Sequence, residues 1–291
     1  MNEVKEFTIG YGGVKKILIG GKNPLVYFGG PCAIESLDHT LFMAEKIKTI
    51  CDELEIPFVF KACYDKDCRS SPDSFNGVGI DLGLKILSKV REEFGVPVVS
   101  DFSVPDWASA TGAVCDLVQV PAYLCRQTSI LQAAASTNRP ILLKKGQYMS
   151  PWNMKNSVKK LNHFGCEEII LTDRGTFFGY NMLVNDFTSL PIMSSIGYPV
   201  CFDATHSIQM PTSMGEISGG QRQYIPHLVR SAAANGIDAL FMEVHDRPDE
   251  ALSDPNTVLN LNHLRKMLIQ VKRIEETIFE MKDTLGEINH V

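Results

Sequence analysis

Eight short apolar runs recur along the chain, and each is followed by a longer segment with helical spacing. They are "LVYFGG" (25–30), "PFVFKA" (57–62), "VPVVSD" (96–101), "DLVQVPA" (116–122), "PILLKK" (140–145), "EIILTD" (168–173), "PVCFDA" (199–204) and "ALFMEV" (239–244). Near-continuous apolar runs of this length fit parallel strands covered on both faces rather than the alternating strands of a half-exposed sheet. Between them, stretches such as 39–54 and 83–94 place apolar residues three and four apart, the spacing of an amphipathic helix. Eight such units in 291 residues predict an α/β fold, a closed (β/α)8 TIM barrel, over an open doubly wound sheet. No Gly-x-Gly-x-x-Gly follows the first run, which weakens the dinucleotide-binding alternative.

The first two dozen residues read differently. "EFTIGYGGVKKILIGG" holds two β-rich runs around Gly12-Gly13, a hairpin signal. The expectation is a β-hairpin over residues 1–24 at the amino-terminal end of the barrel. Without a linker, repeat or low-complexity tract, residues 1–291 are expected to form a single domain. The last helix, 262–281, is amphipathic and should pack outside.

Composition excludes several classes. Net charge is −6, whereas a nucleic-acid or membrane-surface binder shows a basic excess. No apolar run reaches the roughly 18 residues of a membrane span, and "MNEVKEF" is not a signal peptide. The eight cysteines lack paired spacing, which points to free thiols in a reducing cytoplasm.

In a barrel of this type, chemistry gathers where the strands end. Those ends carry Cys32, Lys61 with Lys66, Asp101, Gln119, Lys144, Arg174, Asp203 with His206, and Glu243. Each cation alone reads as an ordinary solvated charge. Lys61, Lys66, Arg69, Lys144 and Arg174 on one rim of an acidic chain instead imply a site for multiply charged anions, most naturally phosphates. Cys32, His206 and Glu243 end the first, seventh and eighth strands, which become neighbours on closure, and Asp254 follows in the next loop. A thiolate, an imidazole and two carboxylates suit a divalent transition metal (Zn, Mn, Fe or Co). The competing reading is a small buried cysteine, a hydrogen-bonded core histidine and two surface carboxylates.

The strings "GGPCAIES", "FKACYDKDCRSS", "QVPAYLCRQT", "LLKKGQYMSPWNMKN", "LTDRGTFFGYNMLVNDFTSLPIM", "FDATHSIQMP", "SGGQR" and "FMEVH…ALSD" resemble the 3-deoxy-D-manno-octulosonate 8-phosphate synthase family, in order, from about Val26 to His263. That resemblance implies a homotetrameric (β/α)8 enzyme condensing phosphoenolpyruvate with arabinose 5-phosphate. The family divides into a metal-independent class with Asn after "GP" and a metal-dependent class with Cys. Cys32 places this chain with the second, with His206, Glu243 and Asp254 at the other ligand positions. Lys61, Lys66, Gln119, Lys144 and Arg174 match phosphoenolpyruvate-binding positions, joined by the backbone at Ala122. Arg69 and Ser70 match the grip on the aldose phosphate. His206, Lys66 and Asp101 are the catalytic candidates.

Departures from the family pattern cluster where the sugar is read. Cys63 and Cys68 stand for a usual Ser and Asn, and Ser103 for a usual sugar-facing His. "SSPDSFNGVG" is similar to the matching stretch of 3-deoxy-D-arabino-heptulosonate 7-phosphate synthase. Two alternatives therefore accompany the main reading: a sibling transferase using another aldose, such as erythrose 4-phosphate or another pentose, and a catalytically silent barrel.

Overall fold

The computed structural model describes residues 4–67, 71, 73–214 and 217–284. A two-stranded hairpin, β1 (Phe7–Ile9) and β2 (Ile17–Ile19), comes first. Eight parallel strands follow, each near a run named above: β3 (Val26–Gly30), β4 (Phe58–Lys61), β5 (Val98–Asp101), β6 (Leu117–Val120), β7 (Ile141–Lys144), β8 (Ile169–Asp173), β11 (Val200–Asp203) and β14 (Ala239–His245). Neighbours pair in chain order, and β14 closes the ring on β3, with Ala239 opposite Val26 and Glu243 opposite Gly30. The apolar runs are continuous because helices cover the outer face while side chains fill the interior.

Among the described residues, seven short strands lie outside the ring or beside its end. Two pairs, β9 (Thr176–Phe177) with β10 (Leu183–Val184) and β12 (Gln209–Met214) with β13 (Ile217–Gly220), form hairpins in the loops after β8 and β11. Another, β15 (Leu259–Asn260), extends alongside β14. With the hairpin pair β1–β2 at the other end, none of them interrupts the ring.

The helices between strands are α1 (Leu37–Glu53), α2 (Ile80–Phe94), α3 (Ala108–Val114), α4 (Thr128–Ser136), α5 (Met154–His163), α6 (Ser189–Ser194), α7 (Ile225–Ala234) and α8 (Leu261–Thr284). Helices α1 and α2 begin two to three residues before the expected starts at 39 and 83; a side-chain cap sets the start of α1, whereas Gly79 before α2 makes no such bond. Ser36 caps α1 by accepting the His39 N–H at 3.2 Å. Its buried face is Met43, Ala44, Ile47 and Cys51, the expected three-and-four spacing. Gly95, in the left-handed region, terminates α2. Among the described residues no helix is long and apolar enough to cross a membrane.

The hairpin alternates buried and exposed residues, and its inner set (Phe7, Ile9, Ile17, Ile19) packs on Val26, Val59, Val99, Leu142 and Ile170 inside the barrel. It thus plugs the amino-terminal mouth. Tyr11, at the hairpin turn, lies between the guanidinium groups of Arg91 and Arg139, 4.2 and 3.4 Å from its ring centre. With one mouth sealed by apolar packing, polar side chains inside the barrel face the other.

Candidate active site

Strand β3 ends on glycines for a steric reason. A Cβ at Gly30 would lie 1.9 Å from the Lys61 carbonyl oxygen, so only glycine lets β3 and β4 meet this closely. Cys32 emerges just beyond, 2% exposed, over the carboxyl-terminal mouth.

Glu243 ends the inward face of β14. Lys61 Nζ donates to its Oε1 at 2.5 Å and to the Cys32 carbonyl at 3.2 Å. Burial works against charge on both partners. The Lys61 ammonium nonetheless holds the Glu243 carboxyl well below its ordinary range, and Glu243 raises Lys61. Glu243 Oε2 is buried without a hydrogen-bond partner among the described residues. A lone anionic oxygen there calls for a cation.

His206 follows β11, where Asp203 fixes it. Asp203 Oδ1 accepts the His206 N–H at 3.0 Å, and Oδ2 lies 2.7 Å from Nδ1. Lys144 Nζ also donates to Asp203 Oδ2. Burial would raise the Asp203 carboxyl, but His206 and Lys144 hold it well below the usual range. The other ring nitrogen, Nε2, lies 3.8 Å from Glu243 Oε2 and 4.0 Å from Asp254 Oδ2.

Cys32 Sγ is 3.4 Å from Asp254 Oδ2 and 3.1 Å from Ser253 Oγ. One donor atom each from Cys32, Glu243 and Asp254 lies within 4.8 Å of the others. Bonds of about 2.0–2.3 Å to a first-row cation put donors on the order of 3.5 Å apart. The thiol and the two carboxylates therefore fit such an ion after small contractions; His206 Nε2 stands outside this trio, near the two carboxylates alone. Burial first, then Glu243, push the Cys32 thiol well above its ordinary value, and a bound cation would oppose both effects.

Of the cations expected on this rim, Lys61 lies within electrostatic reach of Lys66 and Lys144. Lys66 is half-buried, and although burial opposes its charge, the acidic groups of Cys32, Cys63, Glu243 and Asp101 raise it. Lys144 sits over the Phe241 ring, 3.2 Å from its centre. Arg174 is 5% exposed and donates through Nη2 to the His206 carbonyl at 3.0 Å and to Gln209 Oε1 at 2.6 Å, while its buried Nε has no partner among the described residues. Asp101 and Gln119 are paired neighbours on β5 and β6, each with a buried oxygen that has no partner among the described residues. Ala122 opens the turn after β6, where glycine at 146 keeps space beside its carbonyl.

Arg69, Ser70 and Cys68 lie outside the described residues. The two other departures both engage Asp65: Ser103 Oγ donates to its Oδ2 at 2.8 Å, and the Cys63 thiol to its carbonyl at 2.6 Å. One residue had no signal in the sequence. Lys145 is fully buried, 3.4 Å from Asp173 Oδ1 and donating to Thr176 Oγ1 at 3.0 Å and the Gly175 carbonyl at 3.2 Å. It braces the Asp173 side chain before Arg174 and the Gly175 carbonyl and Thr176 hydroxyl after it. A second lysine after Lys144 looks like a solvated charge until the loop after β8 is seen to cover it.

The family model described as DAHP synthetase I family matches residues 4–280 of this chain. A 2-dehydro-3-deoxyphosphooctonate aldolase from Synechococcus sp. is 50% identical over 262 residues, 90% of this chain and 92% of that protein. Proteins of the same name from Protochlamydia amoebophila and Geobacter sulfurreducens are each 47% identical, covering 91% and 94% of this chain and 96% and 99% of their own lengths.

Proposed function

This chain belongs to the DAHP synthetase I family, and on that premise we propose that it is a 3-deoxy-D-manno-octulosonate 8-phosphate synthase. It condenses phosphoenolpyruvate with arabinose 5-phosphate and water, giving the eight-carbon 3-deoxy-2-ulosonate phosphate and inorganic phosphate. The observation that carries this reading is one barrel mouth where buried cations and soft and acidic donors share partners. Lys61 pairs with Glu243, Lys144 with Asp203 and Arg174 with the His206 carbonyl, while His206 Nε2 lies 3.8 and 4.0 Å from Glu243 and Asp254.

The site residues take these roles. Lys61, Lys66, Lys144 and Arg174, with Gln119 and the backbone at Ala122, hold the phosphate and carboxylate of phosphoenolpyruvate. The partnerless Arg174 Nε is one donor for it. Carbon 3 of the enol attacks the aldehyde carbon, water adds to carbon 2, and the carbon–oxygen bond to phosphate breaks. Fixed ammonium and guanidinium groups favour the accumulated negative charge without reorganising. Lys66 donates toward the aldehyde oxygen, and Asp101 Oδ1 accepts a sugar hydroxyl. Arg69 and Ser70 grip the sugar phosphate. Asp203 holds the His206 ring with Nε2 facing the reacting groups.

Cys32, His206, Glu243 and Asp254 hold a divalent transition metal. Such an ion supplies Lewis acidity toward an aldehyde or water oxygen. Barrel and hairpin make one domain, the assembly is a homotetramer, and the enzyme works in the cytoplasm on two small phosphorylated substrates.

Phosphate release from phosphoenolpyruvate, measured across arabinose 5-phosphate, ribose 5-phosphate, erythrose 4-phosphate and unphosphorylated pentoses, tests this reading. Arabinose 5-phosphate should give the highest kcat/KM. A higher value for another aldose would assign Ser103 and Cys63 to a retuned sugar pocket, and no release with any would make the barrel silent.

A further inference from the structure

Glu35, three residues after Cys32, touches the segments that carry two other members of the proposed ligand set. Its Oε1 accepts the Leu252 N–H at 2.9 Å, two residues before Asp254. The same oxygen faces His245 Nε2 at 3.3 Å, two residues after Glu243. His39 Nδ1 lies 4.0 Å from the other oxygen, and His39 Nε2 is 3.0 Å from Asp246 Oδ1. The two imidazole rings stand 4.6 Å apart.

His245 Nδ1 accepts the Arg247 N–H at 3.0 Å and lies 3.2 Å from Asp246 Oδ1, so the ring is held on this side while Nε2 faces Glu35. The His245 side chain is 3% exposed and the Glu35 side chain 18%, so the contact lies within the fold.

Asp254 needs such support. Its φ is +51°, in the left-handed region that non-glycine residues occupy at a cost. Downstream, its carbonyl accepts the Thr257 and Val258 N–H groups at 3.0 and 3.3 Å. Upstream, the Leu252–Glu35 bond ties the loop to the segment of Cys32.

We propose that Glu35 is a positioning residue for the metal ligands, one carboxylate that sets the mutual spacing of Cys32, Glu243 and Asp254 through Leu252 and His245. The role rests on the metal reading given above. It requires no contact between Glu35 and the ion. Partners beyond the ligands themselves commonly change metal affinity by about 10–100-fold.

The test is Co(II) binding by full-length, chelator-stripped protein, followed by the thiolate-to-cobalt absorbance and by competition with a chelator. Glu35→Ala should bind Co(II) about 10–100-fold more weakly with an altered thiolate band. Glu35→Gln, which keeps an acceptor for the Leu252 N–H, should stay near wild type. Glu35→Asp, which withdraws the oxygens by one methylene, should fall about tenfold and decides the question if the alanine variant does not fold. Wild-type affinity and spectrum in Glu35→Ala, or in Glu35→Asp where that variant must decide, would overturn the positioning role while leaving the metal site intact. A wild-type protein that takes up no Co(II) overturns the metal reading, and this role with it.

Discussion

Lys61 Nζ stands 2.5 Å from Glu243 Oε1, with the two side chains 2% and 0% exposed. The lysine neutralises one carboxylate oxygen and leaves the other facing His206. A buried pair of this kind is weak evidence for stability, because desolvation offsets much of the attraction, but removing one partner strands the other. Lys61→Met should therefore destabilise the chelator-treated protein by about 3–5 kcal/mol, read from urea unfolding. The double variant Lys61→Met with Glu243→Gln should recover part of that loss. A single variant as stable as wild type would show that Glu243 finds another counter-charge.

The proposed ligand set predicts activity that depends on a metal. Chelation should abolish phosphate release, and a divalent transition metal should restore it. Cys32→Asn should retain less metal after dialysis, since a thiolate is replaced by a neutral amide. Full turnover in a sample shown by elemental analysis to be metal-free would remove these four residues from the chemistry.

Arg174 tests the cationic side. Arg174→Ala removes a charge-assisted contact of about 1.5–3 kcal/mol, so kcat/KM for phosphoenolpyruvate should fall at least about tenfold whichever aldose is supplied. Because Lys145 braces Gly175 and Thr176, the loop itself should keep its place, and thermal stability should change little. Wild-type kinetics would remove Arg174 from substrate binding.

Asp203 gives a pH dependence with a definite sign. Its folded-state pKa is depressed, so its stabilising contribution is fully present above the unfolded value of about 3.9 and is lost as pH falls through the lower folded value. Wild type should exceed Asp203→Asn in urea midpoint at neutral pH, and the gap should narrow below about pH 4. A gap that stays constant down to pH 2 would mean that the aspartate's charge adds nothing.

Much of this protein was legible before any fold was seen. Continuous apolar runs fixed the eight strands because a two-sided sheet leaves no polar alternation. Strand order placed Cys32, Lys61, Asp101, Gln119, Lys144, Arg174, His206 and Glu243 on one rim, since every parallel strand ends at the same face. The hairpin announced itself through Gly12-Gly13 between β-rich runs. Helix starts were less legible: Ser36 caps α1 by a side-chain bond that apolar spacing does not encode.

Tertiary structure decided what each of those residues touches. Sequence order puts Asp254 eleven positions beyond Glu243, and only the loop's left-handed turn brings its carboxylate to 3.4 Å from Cys32 Sγ. The burial of Lys145 and the bracing contacts of Glu35 depend on loops arriving from strands far away in the chain. Apolar periodicity is a local property and survives in one dimension. Pairing of buried charges depends on distances between segments, and those exist only once the barrel has closed.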